Sequence, residues 1–208
     1  TITGASASNK SYDGTNTATL TGGVLNGVKA GDDVTLVPSG TFNNKNAGTA
    51  KPVTSTSTLS GANAGAYTLT QPAGLTADII ALSITVTGAA DSKIYDGTNV
   101  SSAIPTITSG SLQGTDVVAF TQTYDNKHAG TGKVMTPAGV VNDGNSGNNY
   151  AYTYVNSTNG VITARALTIT GSAATKTYDG SNSSSATPSI TSGSLQGTDL
   201  SAFTQTYD

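Results

Sequence analysis

One pentapeptide, repeated in phase, constrains this chain more than any other feature. Tyr12-Asp13-Gly14-Thr15-Asn16 returns as Tyr95-Asp96-Gly97-Thr98-Asn99 and as Tyr178-Asp179-Gly180-Ser181-Asn182, two steps of 83 residues. Residues 84–125 and 167–208 agree at 30 of 42 positions without a gap, and Lys10, Lys93 and Lys176 each stand two residues before the tyrosine. On the same period Gly31 falls on Gly114 and Gly197, and Asp33 on Asp116 and Asp199; residues 42–49 answer residues 124–131 at an offset of 82. Self-similarity at a fixed period means that one supersecondary unit is reused, each copy stabilised partly by its neighbours. The repeats divide the chain into residues 1–81, residues 82–164 and, in residues 165–208, the first half of a third copy. The third copy reads as a truncated unit in a longer array. An isolated half would leave strand edges unpaired, so it should be ordered only where something completes it.

Composition decides what the unit is made of. Thr, Ser and Gly number 37, 24 and 25, so 86 of 208 residues come from three small types, while Glu, Trp and Cys are absent. Strong helix formers are scarce, whereas Thr, Val, Ile and Tyr suit a pleated sheet and Gly, Asn and Asp suit its turns. The net charge of -3 offers no basic surface for nucleic acid, and no apolar run approaches the ~20 residues that span a bilayer as a helix. A hydrophobic fraction of 35%, arranged in alternating runs, argues against disorder. Without cysteine there is no disulfide framework. The row opens TITGASASNK, which has neither a basic nor an apolar leader region, so an export signal is expected outside these residues.

Strand signals recur within each copy. Ile84-Thr85-Val86-Thr87, Leu167-Thr168-Ile169-Thr170 and Tyr67-Thr68-Leu69-Thr70 alternate apolar with threonine, and Val34-Thr35-Leu36-Val37 reads as a more buried strand. The fold class is all-β: a tandem array of small antiparallel modules, each a sandwich, or a β-grasp-like sheet if residues 23–33 form a helical turn. Residues 78–87 and 161–170 carry no Gly or Pro at the junctions between copies. The last strand of one module is therefore expected to run almost directly into the first of the next, giving a stiff rod.

The motif residues Lys10, Tyr12, Asp13 and Gly14, with Lys93, Tyr95, Asp96 and Gly97 and with Lys176, Tyr178, Asp179 and Gly180, form a structural turn. Asp caps local N–H groups, Gly takes a positive φ and Tyr covers a core edge. The recurring lysines raise the idea of Lys–Asn isopeptide crosslinks, which need a proton-shuttling acid, and only aspartate is available; a lysine stem lying along the tyrosine ring competes with it. His128, the sole histidine, answers Asn46 in the first copy, so no shared function depends on an imidazole. Residues 142–149 offer Asn and Asp oxygens for Ca²⁺, but the corresponding residues 59–65 carry no carboxylate, and a solvated turn is the default; no cofactor is expected. Tyr150, Tyr152 and Tyr154 share a strand face that a sugar could use; their counterparts Tyr67, Leu69 and Gln71 favour a core-facing role with the outer tyrosine at the rim. No catalytic constellation appears, and an enzyme is not expected.

The order K-x-Y-D-G-[ST]-N, then a segment ending in G-x-D, then N-K-x-A-G-T resembles the YDG repeat domain of large bacterial surface exoproteins, the filamentous-haemagglutinin-like adhesins. The resemblance runs through all 208 residues. It implies a stalk at the extracellular bacterial cell surface, with secretion and receptor-binding regions elsewhere in the polypeptide, and with neighbouring identical repeats as the main partners. Two further functions fit the same pattern: an adhesive module that binds glycan or matrix or self-associates in aggregation and biofilm, and a subunit of a self-assembled fibre.

Overall fold

The computed structural model describes residues 1–208 and is all-β, with twenty short strands, no α-helix and one 3-10 turn at Ala64–Ala66. No helix is long and apolar enough to cross a membrane. Alternation sets the strands: in Leu82–Thr87, Ile84 and Val86 are buried while the threonines between them are partly open, and in Val117–Tyr124 the buried series is Phe120, Gln122 and Tyr124. Successive side chains of a strand point to opposite faces, so this period places one set in the core.

The main sheet of the first repeat orders Lys10–Ser11, Leu75–Ile80, Gly48–Ser55, Gly40–Phe42 and Thr17–Ala18. The second repeat rebuilds it from Asp91–Ile94, Ser157–Thr163, Gly130–Asn142 and Val117–Tyr124. The opening strand lies parallel to the closing one in both copies, Ile79 facing Lys10 and Ile162 facing Lys93. The expected antiparallel pairing gives way here, and again where Tyr150–Val155 lies beside Leu82–Thr87, with Leu82 N bonded to Asn149 O and Gly88 N to Val155 O (2.9 Å each). A chain whose first and last strands run parallel leaves the sheet at the end opposite its entry.

Other expectations change locally. Residues 23–33 hold the strand Val24–Leu25 and a turn, with no helix. Thr35–Val37 pairs only with Thr58–Ser60, and Val37 is 45% exposed, so this strand is an edge rather than core. Tyr67-Thr68-Leu69-Thr70 lies outside any ladder; Tyr67 N bonds locally to Ala64 O (3.1 Å), and Thr70 O accepts from Ile2 N (3.3 Å). Its counterpart Tyr150–Val155 is a full strand beside Leu82–Thr87. At the first junction only Ala81 separates Leu75–Ile80 from Leu82–Thr87. At the second, the strand stops at Thr163 and resumes at Thr168–Thr170; Arg165, at the position of Leu82, donates from Nε to the Tyr95 carbonyl (2.9 Å).

Two compact units partition the chain differently from the repeats. One consists of residues 1–86, 107–120 and 139–153; the other of residues 87–106, 121–138 and 154–208. The first has a core of Tyr12, Phe42, Val53, Ile79, Ile84, Val86, Phe120, Val141 and Tyr150, so part of the second repeat packs on the first. The core of the second is smaller: Tyr124, Met135 and Ile162, with Tyr95 against them. Its third-repeat residues pair Thr168–Thr170 with Ser189–Ser192, add an isolated bridge between Ser183 and Thr206, and leave Tyr178 93% and Leu200 94% exposed.

Candidate functional site

The motif builds a clip that recurs three times. Gly14, Gly97 and Gly180 hold φ at 78°, 79° and 75°, a region L side chains rarely adopt, and this turns the chain back over the preceding aspartate. Asp13 Oδ1 then accepts from Thr15 N (2.9 Å) and Thr15 Oγ1 (2.9 Å), an Asx-type turn. Lys10 Nζ closes the ring, donating to Asp13 Oδ1 (2.8 Å), Thr15 O (2.9 Å) and Thr15 Oγ1 (3.0 Å). Lys93 with Asp96 and Thr98, and Lys176 with Asp179 and Ser181, make the same bonds. Each ammonium lies over an aromatic ring, but that ring is Phe42, Tyr124 or Tyr207 rather than the tyrosine of its own motif. None of the three lysines has an asparagine amide among its hydrogen-bond partners, so no acceptor for an isopeptide bond is in place.

The clip carboxylates titrate low. The Lys93 ammonium, then the Thr98 amide, holds Asp96 at about 2 against an ordinary 3.8. Burial works the other way at Asp13 and is outweighed by Lys10 and Thr15. Burial is likewise outweighed at Asp143, by the amides of Gly147, Asn145 and Asn149. A carboxyl whose folded pKa is depressed stabilises the fold fully above its unfolded value and loses that contribution as pH falls through the folded one. The melting temperature should therefore hold steady down to about pH 4 and drop between about pH 4 and 2. Thermal melts across that range check it, and a flat profile to pH 2 would refute it.

The motif tyrosine does not stay at the clip. Tyr12 is 1% exposed and donates its hydroxyl to Asp116 Oδ2 (2.9 Å), 104 residues on and in the next repeat. Tyr95 repeats the step, donating to Asp199 Oδ1 (3.0 Å) and Oδ2 (2.8 Å). Lys45 stands 3.6 Å from Asp116 and Lys127 stands 3.7 Å from Asp199. Tyr150 completes the first of these latches. Its hydroxyl donates to Asp116 Oδ2 (2.7 Å) and accepts from Gln113 N (2.8 Å), and its ring packs edge-on to Tyr12 with centroids 5.5 Å apart. Burial, then the bond to Asp116, raises the Tyr150 phenol; burial, partly offset by Lys45, raises Tyr12. Both hydroxyls are thus held protonated, as donors.

The first repeat corrects the register of the loop aspartate. Tyr67 takes the place of Tyr150, and its hydroxyl donates to Asp32 Oδ2 (2.5 Å) and accepts from Lys29 N (3.0 Å). Asp32 N closes on Lys29 O as Asp116 N closes on Gln113 O and Asp199 N on Gln196 O. Asp32, not Asp33, therefore answers Asp116 and Asp199, because the first repeat is one residue shorter between its clip and this loop. Asp33 instead anchors the neighbouring turn, its Oδ2 accepting from Ala62 N (3.0 Å).

The remaining candidate groups are engaged. Asp143 Oδ1 accepts from Asn145 N (2.7 Å) and Gly147 N (2.9 Å), and Oδ2 from Asn149 N (2.9 Å), so backbone amides fill the carboxylate that seemed to offer oxygens to Ca²⁺. Tyr152 donates to Gly147 O (3.0 Å) and packs edge-on to Phe120, so it and Tyr150 serve the core, while Tyr154 is 41% exposed. The sequence aligned Asp116 with Asp199, and Lys45 with Lys127 inside the N-K-x-A-G-T segment, without showing a role for them, and Gln113 and Gln196 were not singled out. Their only signal was recurrence.

The family model for the YDG domain matches residues 1–74 and 80–158, well over half of the chain. No curated protein and no solved structure matches it.

Proposed function

The chain belongs to the YDG domain family, and on that premise we propose that it is a non-enzymatic stalk segment of an exported bacterial adhesin or surface filament. Its task is to hold a binding region away from the cell, in the extracellular space. The observation that carries this reading is the latch: a tyrosine of each repeat is bonded to an aspartate of the next, at Tyr12–Asp116 and again at Tyr95–Asp199. A spacer needs successive modules that cannot swivel freely, and hydrogen bonds between consecutive repeats, buried at Asp116 and part-buried at Asp199, restrain them where a Gly/Ser linker would not. The single-residue junction at Ala81 and the parallel first and last strands support the same reading, since together they advance the chain through each sheet.

A direct glycan-binding role draws less support, because Tyr150 and Tyr152 use their hydroxyls and ring edges inside the protein. The test uses the absence of cysteine. Cysteines placed at the exposed Thr21 of the first repeat and Thr153 of the second, both in the first compact unit, take spin labels at unique sites, and electron–electron distance measurement reads how firmly one repeat is held to the next there. A stalk gives one narrow distance distribution that Tyr12→Phe broadens. A broad distribution in the parent protein would sink the proposal.

A further inference from the structure

An asparagine or aspartate followed by glycine can cyclise, because the glycine amide reaches the side-chain carbonyl with no Cβ in its way. Such pairs stand at Asp13-Gly14, Asn26-Gly27, Asp96-Gly97, Asp143-Gly144, Asn159-Gly160 and Asp179-Gly180. The fold closes all but one. The aspartates titrate low and stay ionised, and a carboxylate is a poor acceptor for an attacking amide. At Asn159 the following Gly160 is buried in the ladder, between Asp91 of one neighbouring strand and Lys133 of the other. Cyclisation there requires the sheet to open.

Asn26-Gly27 differs on each count. Both residues are exposed in the bend after Val24–Leu25, Gly27 N donates to no acceptor, and no atom crowds the position that a Gly27 Cβ would take. The one side-chain bond of Asn26, from Nδ2 to Thr3 Oγ1, leaves its Oδ1 and Cγ unengaged. The turn itself does not need an asparagine. Ser109-Gly110 and Ser192-Gly193 hold the same place in the other copies, and Gly27, Gly110 and Gly193 keep φ at 93°, 80° and 82°. We propose that Asn26 is a site of spontaneous covalent modification, at which the first repeat alone converts to an aspartyl or isoaspartyl form. Gly27 N attacks Asn26 Cγ and gives up its proton, Nδ2 takes up a proton and leaves as ammonia, and water opens the resulting cyclic imide at either carbonyl. Opening at the main-chain carbonyl routes the backbone through Cβ and Cγ. The change falls directly beside Leu25, whose partner is the buried Ile2, and at the residue whose own N–H donates to Thr1 O (2.9 Å). A new carboxylate and a lengthened backbone at this pairing loosen the edge strand Ile2–Thr3 as the protein ages.

The test incubates the 208-residue chain in warm, mildly alkaline buffer, then follows the tryptic peptides of residues 11–29 and 134–165 by mass spectrometry with fragmentation. Exchange of the amide nitrogen for oxygen should accumulate at residue 26 at least about ten-fold faster than at residue 159, because the second site reacts only through opening of the ladder. In denaturant the two rates should converge, since both asparagines precede a glycine. Asn26→Ser, which installs the residue of the other copies, should remove the signal at that position and leave the fold intact. In the aged parent chain the amide resonances of Ile2 and Leu25 should move. Equal rates at the two asparagines of the folded chain, or conversion of residue 26 only after denaturation, would overturn the site.

Discussion

Asp116→Ala should destabilise the first compact unit by about 3–5 kcal/mol, the range seen when one member of a buried, hydrogen-bonded charged group is removed. The carboxylate is 3% exposed and holds the Tyr12 and Tyr150 hydroxyls at 2.9 and 2.7 Å. Truncation leaves two phenols with a lost acceptor in a space closed to water, and each orphaned polar group costs about 1–3 kcal/mol. The facing Lys45 adds little, because at 36% exposure its attraction is screened. Asp199→Ala is the control, since it deletes the same type of bond at a site that is 32% exposed, where water can replace the carboxylate. Its cost should be nearer 1 kcal/mol. Asp116→Asn keeps an acceptor oxygen and should recover more than half of the loss. Denaturant unfolding of the three variants decides the matter; equal losses at Asp116 and Asp199 would mean that burial does not govern the latch.

The repeat, the all-β class and the turn at each motif glycine were legible in the sequence because they rest on local chemistry. A Gly in a Tyr-Asp-Gly turn takes positive φ whatever surrounds it, and alternation of Val or Ile with Thr marks a strand without reference to its partner. What stayed hidden depends on pairs far apart in the chain. Nothing in Tyr12 announces an acceptor 104 residues away. A fixed period cannot show that residues 107–120 and 139–153 pack with the repeat before their own, because periodicity reports the unit of duplication and not the unit of packing. The aspartate register failed for a related reason. Gly31-Asp32-Asp33 offers two aspartates to one period, and only the turn bond from Asp32 N to Lys29 O selects between them. Tyr67-Thr68-Leu69-Thr70 has the strand alternation that Tyr150–Val155 also has, yet only the second finds a full partner in Leu82–Thr87.

Comparison of the two complete repeats yields the last expected result, in the core of the second. Val53, Ala77 and Phe42 of the first repeat correspond to Met135, Gly160 and Tyr124 of the second, and the facing strands keep register, Lys51 opposite Ala77 and Lys133 opposite Gly160. The larger side chains are balanced by the loss of a methyl group. A Cβ built on Gly160 would lie 2.5 Å from Met135 Sδ, 2.9 Å from the Lys133 carbonyl and 3.0 Å from Tyr124 Cε1. Met135 is fully buried and Tyr124 is 1% exposed, so neither can swing into solvent, and the carbonyl belongs to a paired strand. Gly160→Ala should therefore destabilise the second unit by about 2–3 kcal/mol through overpacking, despite the ordinary advantage of alanine over glycine within a strand. Adding Met135→Val, which restores the pairing of the first repeat, should relieve most of that strain. The double-mutant cycle should show a favourable coupling of about 1–2 kcal/mol between the two sites. Additive losses would show that Gly160 is retained for its backbone and not for the room it leaves to Met135.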